Sequence, residues 1–242
     1  MHALIVHAHH EPESFNGAMT ARATSELEAA GHAVTVSDLY ALGFDPVSDR
    51  RNFSTTADAG YLKQQREEQH ASEHDGFAPD VSAEMDKLEA CDLVIFQFPL
   101  WWFGMPAILK GWVDRVLAMG RMYGGGRWYD TGKLLGKRAM VAMTTGGPGS
   151  MYAPPEGYES LNPTLDTILA PVHHGIFWFT GMRVLEPFVA WAPAHLNDDQ
   201  RAAALDAYAA HLREQLAQEG APPPVAAEFP PPKFIRQRES TP

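Results

Sequence analysis

A single cysteine, Cys91, stands among 242 residues, which rules out an intrachain disulfide and fits a reducing compartment. Basic side chains are scarce too. The 19 Lys and Arg against 30 Asp and Glu leave a formal charge of −11, which excludes a general attraction to nucleic acid or anionic lipid. An anionic ligand must therefore be held by local groups. No apolar run approaches membrane-spanning length, and MHALIVHAHHEPES breaks too early into polar residues to be a signal peptide. The expectation is a cytoplasmic, soluble protein with no membrane insertion. The glycine fingerprint of dinucleotide-binding turns and the lysine of a P-loop are also missing, which argues against nucleotide hydrolysis. No internal repeat is present.

With 45% hydrophobic residues, the chain can bury the core of one large domain. Ala3 to Ala8 is a short, nearly continuous apolar run, as expected of a parallel strand covered on both faces. His32 to Asp38, Asp92 to Phe98 and Arg138 to Thr145 read as further strands, and Arg183 to Val189 as a fifth. Helical patterns at Asn16–Ala30, Val81–Ala90, Pro106–Met119 and around Thr164–Phe179 fall between them, and Asp198–Glu219 closes the series behind an Asn197 or Asp198 cap. This alternation predicts a five-stranded, doubly wound parallel α/β sheet with helices on both faces. The domain is expected over 1–219. Within it, Asp49–Pro79 is a polar excursion, either functional or a dimer-facing arm. Gly220–Pro242, with seven of the 19 prolines, is expected to be an extended tail that packs on another surface or stays mobile.

In such a sheet, ligands bind beyond the carboxyl ends of the strands. The first loop there, His9 to Asn16, leads into a helix N-terminus whose free N–H groups suit a phosphate; Ser14 and Asn16 add donors, although Ser14 as a simple helix cap is the alternative. The second, Pro99-Leu100-Trp101-Trp102-Phe103-Gly104, carries three adjacent aromatics that cannot all face a core from one turn. Some of them should wall a flat ligand, with core packing of either tryptophan as the alternative. The third, Thr144-Thr145-Gly146-Gly147-Pro148-Gly149, lets backbone approach a ligand closely, or is an ordinary turn. Three such loops converge on one flat, phosphorylated ligand, a description that flavin fits.

FQFPLWWFGMPAILKGWVDRVL (Phe96 to Leu117), with ALIVHAHHEPESFN, VSDLYALGFDP and TTGGPGSMY, resembles the NAD(P)H:quinone oxidoreductase family. The resemblance runs from Ala3 to about Leu216, weakens over Arg50–Phe77 and is lost in the tail. It implies a flavodoxin-like fold, a two-fold homodimer and non-covalent FAD, with FMN left open. It implies two-electron ping-pong transfer of hydride from NAD(P)H through the flavin to a quinone or similar flat acceptor. Matched residue by residue, it places His9, Phe15 and Asn16 near the phosphates, beside the Ser14 of the loop reading. It sets Pro99, Leu100, Trp101, Trp102 and Phe103 along the ring system, Thr144, Thr145, Gly146, Gly147 and Tyr152 around its edge, and Arg201 near the distal part. The substrate pocket would comprise Trp102, Phe103, Tyr152 and a partner subunit's Tyr123. Tyr152, Gly146 and Gly147 would stabilise reduced flavin.

Two departures from the pattern stand out. GRMYGGGRWYD keeps Tyr123 but replaces the pocket's second tyrosine by glycine. APPEGYES, after Tyr152, lacks the relay histidine, so Tyr158 or Glu159 stands nearest that place. His7, His9, His10 and the His173-His174 pair match no metal-site spacing, and adjacent histidines are expected to point apart, so no metal is expected. An azo- or nitroreductase with the same site, or a flavin-bound regulatory subunit of a potassium-efflux system, are the competing readings.

Overall fold

A computed structural model describes residues 1–153, 159 and 162–228. Its sheet comprises β1 (His2–His7), β2 (Ala33–Asp38), β3 (Leu93–Pro99), β4 (Arg138–Thr144), β5 (Arg183–Val184) and β6 (Phe188–Ala190). The strands run parallel in the order β2-β1-β3-β4-β5, with β6 also paired to β4. This is the flavodoxin-like strand order. The expected continuous fifth strand is two short pieces instead. Leu185 still donates to Ala139 O at 2.9 Å, but Pro187 has no N–H to give the ladder, so pairing resumes only at Phe188.

Because side chains alternate across a strand, each strand feeds two cores. Leu4, Val6, Val94, Phe96, Val141 and Met143 face α3 (Pro79–Ala90), α4 (Ala107–Val116) and α5 (Leu165–Val172). Ala3, Ile5, Leu93, Ile95, Met140 and Ala142 face α1 (Phe15–Ala29) and α6 (Asp198–Leu216). Asn197 caps α6 through a reciprocal box with Gln200. The helix expected over Thr164–Phe179 changes type along its length: Pro171 withholds one donor, and His173–Trp178 winds as a π-helix. No helix among the described residues is long and apolar enough to cross a membrane.

The polar excursion is folded into the body rather than solvated. It contains α2 (Gln64–Glu73), on which Glu67 and Glu68 are buried. Buried Arg115 of α4 ties it down by donating to Asn52 Oδ1 at 2.7 Å and Asp45 O at 2.6 Å, and by pairing with Asp80 at 2.9 Å. The start of the proline-rich tail also lies on the chain itself. Ala221 pairs with Val184, and Ala226 N donates to Asp130 at 2.8 Å. Residues 229–242 of that tail lie outside the described residues.

Candidate active site at the carboxyl ends of the strands

The strand order reverses between β1 and β3, which opens a crevice beyond their carboxyl ends. Under it, buried Gln97 Nε2 donates to Asn16 Oδ1 at 2.9 Å, and Asn16 Nδ2 donates to Thr144 Oγ1 at 2.9 Å. That chain ties α1 to β3 and β4. The side chain of Asn16 is thus engaged beneath the loops, and its helix N-terminus faces the crevice.

In the first loop, Ser14 Oγ accepts from Gly17 N at 3.1 Å, so Ser14 does cap α1. Gly17 is required: a Cβ there would stand 2.1 Å from Pro12 O. The rings of His9 and His10 do not point apart as expected. They stack at 4.8 Å and lie 6.0 and 5.8 Å from Trp101, because the chain turns tightly after β1 instead of staying extended. Partial burial and the neighbouring His10 hold the His9 imidazole below its ordinary pKa, and its Nδ1 accepts from Glu11 N at 3.0 Å. Beside this loop lies a groove of about 550 Å³ that gathers His9, Ser14, Phe15, Asn16, Thr144 and Arg201 from three segments far apart in sequence. Arg201 reaches it from α6, braced by Pro193 O and Asp198 at 3.2 Å each.

The second loop is a two-residue hairpin. Trp101 and Gly104 exchange N–H···O bonds of 3.1 and 3.0 Å, and Leu100 N, donating to Thr144 O at 2.8 Å, anchors it to β4. Trp102 and Phe103, between them, have φ of +53° and +57°, a left-handed conformation that bulky residues rarely adopt. Trp102 is 98% exposed and Phe103 48% exposed. Neither core packing nor backbone preference explains these two aromatics. Pro99 ends β3 below them, buried in register with Thr144.

The third loop is held from within: Thr145 Oγ1 donates to Gly147 O at 2.7 Å and accepts from Ala192 N at 3.3 Å. Among the described residues, no protein acceptor takes the N–H of Gly146 or Gly147. A Cβ on Gly146 would meet open space. Tyr152, 7% exposed, packs its ring 5.5 Å from Trp191. Glu159 is exposed on the isolated chain, and Tyr158 lies outside the described residues. Tyr123 sits elsewhere, its ring 5.8 Å from Phe179 and its hydroxyl 3.4 Å from Gln65. Among the described residues, no hydrogen bond or ring contact joins it to its own chain's three loops.

Residues 1–216 match the flavodoxin-like fold family. NAD(P)H dehydrogenase (quinone) 1 of Rattus norvegicus is 41% identical over 87% of this chain and 76% of its own length. The chain belongs to the NAD(P)H:quinone oxidoreductase family. Ribosyldihydronicotinamide dehydrogenase (quinone) of Homo sapiens is 39% identical over 90% of this chain and 94% of its own. A crystal structure of a putative quinone reductase from Klebsiella pneumoniae superposes with a TM-score of 0.85 at 38% identity, covering 91% of this chain and 86% of the other. In this quinone oxidoreductase family member, sequence reasoning missed Pro193 and Ala194 in the groove, Trp191 behind Tyr152, and Phe179 against Tyr123. Phe179 was legible only as the end of the apolar helix around Thr164–Phe179, and Trp191 only as a large apolar residue in AWAPA. Among the described residues no group of three or more His, Cys, Asp or Glu is placed to hold a metal.

Proposed function

We propose that this chain is a flavin-dependent NAD(P)H:quinone oxidoreductase whose flavin lies across the three loops, with NAD(P)H and a flat quinone taking turns over one face. The carrying observation is the exposed Trp102–Phe103 turn, held in a strained conformation at the same sheet end as the Gly146 and Gly147 amides, for which no protein acceptor is found among the described residues. When bound, the flavin supplies the two-electron chemistry between NAD(P)H and quinone.

The chain's own groups supply position and charge. The N-terminus of α1 and the groove with Arg201 receive phosphate and the distal part of the cofactor, and that reach beyond the strand ends supports FAD over FMN. Trp101, Trp102 and Phe103 give a flat apolar wall that excludes water. The amides of Gly146 and Gly147, with the Tyr152 hydroxyl, are preorganised donors for negative charge gained on reduction. Glu159, exposed and acidic, contributes less at the same place. Tyr123 reaches this site from a second copy, which makes the working unit a homodimer. The replacement of the pocket's second tyrosine by glycine widens the acceptor side.

The test is to release the cofactor by heat, identify it by mass, and time NADH and NADPH oxidation against quinones, an azo dye and a nitroaromatic. About one FAD per chain and fastest turnover with a quinone is the expected result. Protein that neither holds nor takes up flavin overturns the proposal.

A further inference from the structure

The loop that carries Tyr123 is open on its C-terminal side. Gly125 and Gly126, with φ of +64° and +77°, have no atom within 4 Å of where a Cβ would stand. One face of α2 holds the start of the loop, beside the Arg121 pairs with Asp86 and with Glu89 at 2.7 Å, the Lys133 bond to Gly120 O and the buried Met122. Gln65, Glu68 and Ser72 lie three and four residues apart and so share that face. Glu68, 4% exposed, accepts from Met119 N at 2.7 Å. Ser72 Oγ donates to Met119 O at 3.1 Å, so both polar groups of one residue are clamped. Gly120 follows with φ of +91°, and a Cβ on it would stand 2.6 Å from Ser72 Oγ. Its N–H donates to Tyr123 O at 2.8 Å, and Gln65 reaches the Tyr123 hydroxyl.

Glu68 is an unusual choice for this task. Among the described residues no cation pairs with it; its other contact is Gln64 Nε2 at 2.9 Å. Burial raises the pKa of its carboxyl, while the N–H of Met119 and Gln64 pull the other way. A buried carboxylate without a counter-ion is costly, and what Glu68 supplies against that cost is an acceptor for the Met119 N–H at the start of the Tyr123 loop.

We propose that Glu68, seconded by Ser72, is the positioning residue for Tyr123 and thereby sets the width of the quinone pocket. The proposal rests on the reading that Tyr123 lines that pocket. It assigns α2, and with it the polar excursion, a role in acceptor selection.

A double-mutant cycle on the holoenzyme separates positioning from mere structure. Tyr123→Ala should raise the quinone KM. Glu68→Ala should raise it roughly tenfold when Tyr123 is present, the scale of one lost hydrogen bond to a charged group, and by less than about twofold in the Tyr123→Ala background. Melting temperature should fall by the same amount in both backgrounds. Glu68→Gln should return the KM to near wild type, since its Oε1 still accepts from Met119 N and its amide can donate to a flipped Gln64. Should Glu68→Ala fail to fold, Ser72→Ala runs the same cycle. An equal effect with and without Tyr123, or an unchanged KM in Glu68→Ala, overturns the proposal alone. An unchanged KM in Tyr123→Ala overturns the pocket reading and the proposal with it.

Discussion

Trp102 and Phe103 spend free energy on a conformation that glycine adopts freely, and Trp102 recovers nothing from burial at 98% exposure. The left-handed backbone costs about 1–2 kcal/mol per such residue. Replacing Trp102 by Gly relieves that and adds back about 0.4–1 kcal/mol of unfolded-state entropy. The flavin-free Trp102→Gly protein should thus melt no lower than wild type, and be more stable by about 1.6 kcal/mol in the best case, while flavin retention drops. Calorimetry and flavin titration on the same sample check this; lost stability with unchanged flavin affinity would mean that Trp102 packs against protein. Tyr152 makes the second test at this scale. Tyr152→Phe should slow flavin bleaching by NAD(P)H roughly 10- to 1000-fold in stopped flow, the range for one lost preorganised donor, and Glu159→Gln should do less. The reverse ranking would give the carboxyl the relay role.

Among the elements, α4 and the segment after β2 approach so closely that Gly111 has no room for a side chain. A Cβ there would stand 2.3 Å from Pro46 O and 2.4 Å from Pro46 Cα, both backbone atoms. Gly111→Ala gains about 1 kcal/mol of helix propensity against roughly 1–3 kcal/mol of overpacking. A lower melting temperature is the expected outcome, and a higher one would show that this segment yields easily. The positions of β1, β3 and β4 were legible within a residue or so because a strand covered on both faces must be apolar throughout, and that of edge strand β2 because its residues alternate. The fifth strand was not, since its apolar pattern runs through Pro187 and only the missing ladder bond divides it. The helix at Thr164–Phe179 was likewise legible as apolar and helical, but its shift to π-turns after Pro171 leaves no periodicity to read.

For the molecule as a whole, buried histidines set the acid limit. Burial lowers the pKa of His7, whose Nδ1 is 2.8 Å from Thr20 Oγ1, and that of His173. The unfolded chain then binds more protons than the folded one just below pH ~6.5, so stability is fully present above that pH and is lost as pH falls through the depressed folded values. Glu68 has the opposite sign. Its raised folded pKa gives a contribution present below about pH 4.3 and lost as pH rises. With the opposing group removed in Glu68→Gln, urea midpoints at pH 7.5, 6.5 and 5.5 should therefore decline, and more gently when His7→Gln is added; a flat profile in Glu68→Gln would exclude the histidine account. By itself, the amino-acid sequence determined the α/β class, the sites of β1 to β4 and the three loops at the carboxyl ends of the strands, because periodicity and turn composition are local properties. Only the tertiary structure decided that Trp102 is exposed rather than core, that the His9 and His10 rings stack, and that Arg201 shares a groove with Phe15. It also set the polar excursion against the start of the Tyr123 loop, because Glu68 and Met119 are brought to 2.7 Å across 51 residues of chain by packing, which no local pattern encodes.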